Sequence, residues 1–425
     1  MCYDVTGAIL VYFYYICRYF YQIAMTKYNF DTCPDRRGTE SVKWDEFPGT
    51  LPMWVADMDF EVAPQIKEAL RKRLDHGVFG YELVPEDYFT VMADWFRVRH
   101  GWEGIGRENT FPTSGVIPAY SAAIKAFTRP GDKVLVLTPC YNAFFPPIKS
   151  NGCVQLDCPL HYEDGKFTVD WDDMEKRAGE ARVLLLSNPH NPVGRVWTRE
   201  ELLKMGDICL RHGVLVISDE IHCELTFPGY DYTPWATLPE QYVNHSVSCF
   251  SPTKPFNIAG IQIANLYAKD PEHFERASRA LHDMESDSVN VFGVAALKAA
   301  YGAAGPWLDA LREYLLDNAR TTCCYLEDHL PWVDAAPLEG TYLMWLDCRR
   351  ALRKGEPLEG FSERLFKHLK DKHGLTLSCG SWYGKAGEGF QRLNIACPRQ
   401  RLLDALQRLQ AGLESYRQME YTTNS

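Results

Sequence analysis

Apolar residues fall into two textures along the chain. In the middle they come as short runs, at Val134 to Thr138, Val183 to Ser187, Val214 to Ser218, Val247 to Phe250 and Ile263 to Ala268. These runs favour Val, Ile and Leu and lack the strict alternation of a sheet with one wet face, so they predict strands buried on both sides. Amphipathic stretches of helical period lie between them. The clearest runs from Thr198 to His212, where Thr198 and Glu201 have capping-box spacing and Gly213 supplies the stop. Strands of this kind alternating with helices predict an α/β fold with a doubly wound, mostly parallel central sheet.

Beyond about residue 305 the texture changes. A long helical period covers Trp307 to Leu330, strand-like runs follow at Tyr342 to Asp347 and Gln391 to Ala396, and helices are predicted at Phe361 to His373 and Arg399 to Tyr416. This reads as a smaller α+β domain. The expected division places residues 25–75 and 306–425 in the two parts of that small domain and residues 76–305 in the large one. Residues 1–24 are expected to be an extension outside the fold. Its apolar and aromatic run, Ala8 to Cys17, is shorter than the ~20 residues of a membrane-spanning helix. The leader before it carries Asp4 and no Lys or Arg, unlike a signal peptide.

Composition narrows the classes. A chain of 425 residues that is 46% hydrophobic can bury a sizeable core without staples. Its 45 basic residues face 56 acidic ones, a net charge of -11, so no general attraction draws it to nucleic acid or to anionic lipid. The 14 cysteines form no CxxC pair and one doublet, Cys323 and Cys324, which fits a reduced, cytoplasmic protein.

In open α/β sheets ligands bind beyond the carboxyl ends of the strands. After the predicted strand ends come Tyr141, then AsnProHisAsnProValGly at 188 to 194, then Asp219 with Glu220, Ile221 and His222, then Ser251 and Lys254. Upstream, ThrSerGlyVal at 113 to 116 opens a helical stretch. A lysine able to form a Schiff base, a carboxylate to pair with a pyridinium nitrogen and a helix start offering NH groups to a phosphate are what pyridoxal 5'-phosphate requires. Asn191 is the candidate donor to the phenolic oxygen, and Tyr141 the candidate ring to stack on the cofactor. Taken singly each residue reads as a turn, a cap or a solvated lysine; their order at successive strand ends carries the assignment. His222 is placed among the cofactor contacts. No second His or Cys stands at ligand spacing, so no metal is expected.

On these motifs the sequence resembles the pyridoxal-phosphate-dependent aminotransferase superfamily of fold type I over residues 25 to 416. Within it, the resemblance is to the MalY/PatB group of carbon–sulfur, or cystathionine, β-lyases. LeuProMetTrpValAlaAspMetAspPhe (51 to 60) and SerAspGluIleHisCysGluLeu (218 to 225) are its most diagnostic segments; PheGlyTyr (79 to 81), LysProPheAsnIleAlaGly (254 to 260) and ArgLeuAsnIleAlaCysProArg (392 to 399) add to it. The resemblance implies that Lys254 is the Schiff-base lysine, Asp219 the ring-nitrogen partner, and Ser251 with the backbone of Gly115 and Val116 the phosphate ligands. It also implies that Arg392 binds the substrate carboxylate, and that Tyr81 serves the neighbouring subunit's phosphate in a homodimer. Two departures stand out. Gln262 occupies the position, eight residues past the lysine, where many aminotransferases carry arginine, and Pro255 follows the lysine where threonine is expected in the lyase group.

The implied activity is β-elimination from a sulfur amino acid such as L-cystathionine, giving a thiol, pyruvate and ammonia. Lys254 is the general base, with Lys254 or Tyr141 protonating the departing sulfur. An aminotransferase shares every one of these residues and is the alternative reading; a non-catalytic regulator built on the fold is the alternative from another class. Cystathionine, cystine, cysteine and S-alkyl cysteines all fit the chemistry.

Overall fold

Seven strands form the central sheet of the computed structural model: β1 (Thr110–Thr113), β2 (Lys133–Thr138), β3 (Val154–Pro159), β4 (Val183–Ser187), β5 (Leu215–Asp219), β6 (Ser246–Phe250) and β7 (Ala264–Tyr267). The structure describes residues 28–421, so the N-terminal run read above at residues 1–24 lies outside the described residues. The strands lie in the order β1-β7-β6-β5-β4-β2-β3. Strands β3, β2, β4, β5 and β6 pair in parallel, whereas β7 is antiparallel to both its neighbours. The sheet is therefore mixed and mostly parallel.

The unbroken apolar runs have a simple cause. Successive side chains of a strand face opposite sides, and here each side has a core of its own. Leu135, Leu137, Leu184, Leu186 and Val216 enter one cluster; Val134, Val136, Val183, Leu185, Leu215 and Ile217 enter the other. Helices cover both faces. They include α1 (Pro64–His76), α2 (Glu86–His100), α3 (Val116–Phe127), α4 (Arg199–His212), α5 (Pro271–Asp283) and α6 (Val291–Ala303). Helix α3 packs on α5, and α1 and α2 pack on α6. The expected capping box at Thr198 is present: Thr198 Oγ1 accepts from the Glu201 N–H at 3.2 Å and Glu201 Oε2 from the Thr198 N–H at 2.9 Å.

After α6 come α7 (Gly305–His329), α8 (Phe361–His373) and α9 (Arg399–Gln418) with an antiparallel sheet of β8 (Asp334–Ala335), β9 (Leu343–Asp347), β10 (Ser378–Cys379) and β11 (Phe390–Asn394), ordered β8-β9-β11-β10. The early segment joins this part, because Leu51–Pro52 pairs in parallel with Leu375–Thr376. Residues 53 to 60 then run as a strap into the crevice between this layer and the central sheet. Among the described residues no helix is long and apolar enough to cross a membrane.

Candidate active site

The carboxyl ends of β2, β4, β5 and β6 open on one cavity of ≈ 270 Å³. Tyr141, Asn191, Asp219, His222 and Lys254 line it together with Gly115 and Val116. Val116 opens α3, whose first N–H groups have no helical carbonyl within reach. With the positive end of the helix dipole they make an anion cradle on that wall.

Asp219 is the last residue of β5 and is buried. Its carboxylate accepts from the Ile221 N–H at 3.2 Å. Burial, reinforced by the neighbouring Glu220, pushes it up to about 7, against the pull of that N–H and of Lys254. Lys254 Nζ donates to the Ala56 carbonyl at 2.6 Å. Burial, helped by Arg392, draws the amine down to about 8, while Asp57 and Asp219 oppose the shift. His222 is buried with Nδ1 unpartnered among the described residues, and burial keeps its ring neutral well below the usual range. Burial and the charge of Asp219 push the Tyr141 phenol up to about 12.

Arg392, on β11, comes from the other layer. Its Nη1 donates to Asn191 Oδ1 at 2.9 Å, its Nη2 to the Trp54 carbonyl at 2.8 Å, and its guanidinium lies 4.9 Å from the Tyr383 ring centroid. Nε is buried without an acceptor. Because Asn191 Oδ1 is engaged by Arg392, its amide NH₂ is the end left to donate.

The profile of the aminotransferase class I and II family matches residues 54–409. The chain belongs to that family. It is 41% identical to cystathionine beta-lyase PatB of Bacillus subtilis, over 91% of this chain and 100% of that one. It is 34% identical to protein MalY of Escherichia coli, over 88% of this chain and 96% of MalY. Among solved structures it is similar to cystalysin of Treponema denticola, which contains a pyridoxal 5'-phosphate cofactor: the TM-score is 0.86 and the identity 33%, covering 91% of this chain and 99% of that one.

The residues present fit that cofactor. A carboxylate whose hold on its proton is raised by burial, an orphaned histidine nitrogen, a helix N-terminus and an amine with lowered proton affinity converge on one cavity, and each would meet a different part of pyridoxal phosphate.

Three of the predicted site residues are not on the cavity wall: Arg392 reaches it through its hydrogen bond to Asn191, and Ser251 and Tyr81 lie elsewhere in this chain. The Ser251 hydroxyl donates to the Ile263 carbonyl at 2.6 Å and shares a hydrogen bond with Thr253 Oγ1; Thr253, not Ser251, stands on the cavity wall. Tyr81 is fully exposed on the segment between α1 and α2. Gln262 does line the cavity, in left-handed backbone with φ 56°. Pro255 leaves Lys254 in place: the loop is fixed by Asn257, whose side chain accepts from the Met58 N–H and donates to the Met58 and Phe60 carbonyls. Sequence reasoning missed Ala56, Ser114, Ile117 and Thr253 on the wall. Ala56 sits inside the 51–60 motif, the one signal that pointed at it.

Proposed function

We propose that this chain is a pyridoxal-phosphate-dependent carbon–sulfur β-lyase that converts L-cystathionine, or a related S-substituted cysteine, to a thiol, pyruvate and ammonia. The observation that carries the reading is the convergence of Lys254, Asp219 and Asn191 on one cavity, with Arg392 bonded to Asn191, in a chain that matches a cystathionine β-lyase over that protein's whole length. Gln262, where many aminotransferases have arginine, supports lysis over transamination.

Pyridoxal phosphate, when bound, supplies a ring that withdraws the electron pair left at the substrate Cα. The residues of the chain do the rest. Asp219 would pair with the ring nitrogen, and once ionised it would favour the protonated form of that nitrogen. The N-terminus of α3 and Thr253, both on the cavity wall, would hold the phosphate. Arg392 offers a planar fork to the substrate carboxylate and is held in aim by Asn191, Trp54 and Ser378. Lys254, as a neutral amine, takes the Cα proton; a pKa near 8 suits both that role and the return of a proton. Protonated Lys254 and the Tyr141 phenol are the two proton donors the cavity offers to the leaving thiolate. Ile117, Ile221 and Ala259 give the wall apolar surface that limits water.

Product analysis of the purified, cofactor-loaded protein with L-cystathionine tests this. Stoichiometric pyruvate and free thiol without any added keto acid are expected; product that forms only with a keto acceptor would make it an aminotransferase.

The same reading makes the protein a cytoplasmic homodimer in which Tyr81 reaches the partner's phosphate site. What supports the dimer is the exposure of Val78, Phe79, Tyr81 and Leu83 on one short segment. What supports the compartment is that every cysteine among the described residues is free. Residues 76–305 then form the large cofactor-binding domain, with 25–75 and 306–425 as the small one.

A further inference from the structure

Lys254 and Tyr342 share one acceptor. The Ala56 carbonyl accepts from Lys254 Nζ at 2.6 Å and from the Tyr342 hydroxyl at 2.9 Å. Tyr342 is fully buried, and burial holds its phenol protonated, so it is a permanent donor. Its backbone is set by an unusual neighbour. Thr341 is β-branched yet has φ 69°, a left-handed conformation that such residues rarely adopt. It is kept there by its own N–H, which donates to the Leu225 carbonyl at 2.6 Å, and by its hydroxyl, which accepts from the Leu343 N–H at 3.1 Å. Strain of this kind persists where surrounding contacts over-determine it, and here the next residue is the one aimed at Ala56.

The strap is equally constrained. Asn394 Nδ2 donates to the carbonyls on either side, Val55 at 2.6 Å and Asp57 at 2.7 Å, and Lys43 Nζ donates to Asp57 at 3.1 Å. With its flanking carbonyls clamped and Tyr342 occupying one of its own lone pairs, the Ala56 carbonyl has one direction left for Lys254.

A neutral amine has two N–H bonds and one lone pair, so fixing one N–H restricts where the lone pair points. We propose that Tyr342 is a positioning residue for the base: by pinning the Ala56 carbonyl, it sets the direction from which the freed Lys254 amine meets the substrate Cα–H. This rests on Lys254 being the base, as proposed above. Tyr342 itself touches neither proton nor substrate in this role.

The test is Tyr342→Phe in the cofactor-loaded enzyme, turned over with L-cystathionine carrying protium or deuterium at Cα. Expected are wild-type cofactor content and melting temperature, KM within about twofold, kcat lower by between about tenfold and about a hundredfold, and a larger deuterium isotope effect on kcat as proton transfer becomes the slow step. A wild-type kcat, a loss carried by KM, or a lower kcat with an unchanged isotope effect would overturn the inference. Lys254→Ala measured alongside keeps the two readings apart. If it retains turnover, the base assignment falls; if it is inactive while Tyr342→Phe behaves as wild type, the positioning role alone falls. Should Tyr342→Phe not hold cofactor, Thr341→Gly leaves every side chain of the trio in place while freeing the backbone that aims the ring, and the same readouts decide.

Discussion

Asp219 carries a charge that its own chain does little to stabilise. One backbone N–H faces it, and Glu220 beside it is another buried carboxylate, held by Tyr232, the Trp235 N–H at 3.1 Å and Ser248. With a folded value of about 7 against an ordinary 3.8, the cofactor-free protein binds the Asp219 proton more tightly folded than unfolded. Its stability therefore declines as pH rises from about 4 to about 7, and above 7 the full penalty applies, at most about 4 kcal/mol for a shift of this size. Asp219→Asn removes the penalty. We expect urea melts of the cofactor-free variant to show it more stable than the wild type at pH 8 and equal to it at pH 4. Loaded with cofactor, the order reverses: the variant loses the partner of the ring cation, and kcat falls by at least about a hundredfold. A variant no more stable at pH 8 than at pH 4, relative to wild type, would mean that Asp219 is solvated in the empty site.

At the scale of elements, the turn into α4 ties the Asn188 to Gly194 loop to the sheet. Glu201 closes the capping box with Thr198 and also grips Arg195 through both carboxylate oxygens, at 3.0 and 2.9 Å. Thr198→Ala should cost about 1 kcal/mol in urea denaturation. Glu201→Ala removes the reciprocal cap and the fork together and should cost about 2–3 kcal/mol; equal losses would show that the Arg195 contact contributes nothing. This element was legible in the sequence because its signals are local, as were the Val, Ile and Leu runs that feed two cores. Strand direction was not. Ala264 to Tyr267 reads like its parallel neighbours because side-chain pattern carries no sign of orientation, yet it runs antiparallel between β1 and β6. The pairs Leu375–Thr376 and Ser378–Cys379 are too short for any period to mark. Within the site, the residues that project from strand ends could be read from their order. The Ala56 carbonyl could not, because a backbone acceptor has no residue signature and its donors, Lys254 and Tyr342, lie 198 and 286 positions away.

For the whole molecule, the question is whether one chain completes its own cavity. The two layers are already locked across the crevice: the Gly340 N–H donates to the Gly194 carbonyl at 2.9 Å, the Cys140 N–H to the Tyr383 carbonyl at 3.0 Å, and Arg392 to Asn191. What is left over is the segment from Val78 to Leu83, which exposes Val78, Phe79, Tyr81 and Leu83 in six residues. An exposed apolar cluster of that density is costly in water unless another surface covers it. On the reading proposed above, a second copy would cover it and would give Tyr81 a task, since its hydroxyl has no place at the cavity of its own chain. Wild type should sediment as a dimer at micromolar concentration. Leu83→Asp should shift it toward monomer with loss of retained cofactor, because the charge would be buried unpaired at the contact. Tyr81→Phe should stay dimeric while its cofactor dissociation constant rises about tenfold, the worth of one hydrogen bond to a charged group. The two variants discriminate: a wild-type monomer with full activity would leave Tyr81 without a role, and a Tyr81→Phe dimer with unchanged cofactor affinity would keep the interface while removing the shared site.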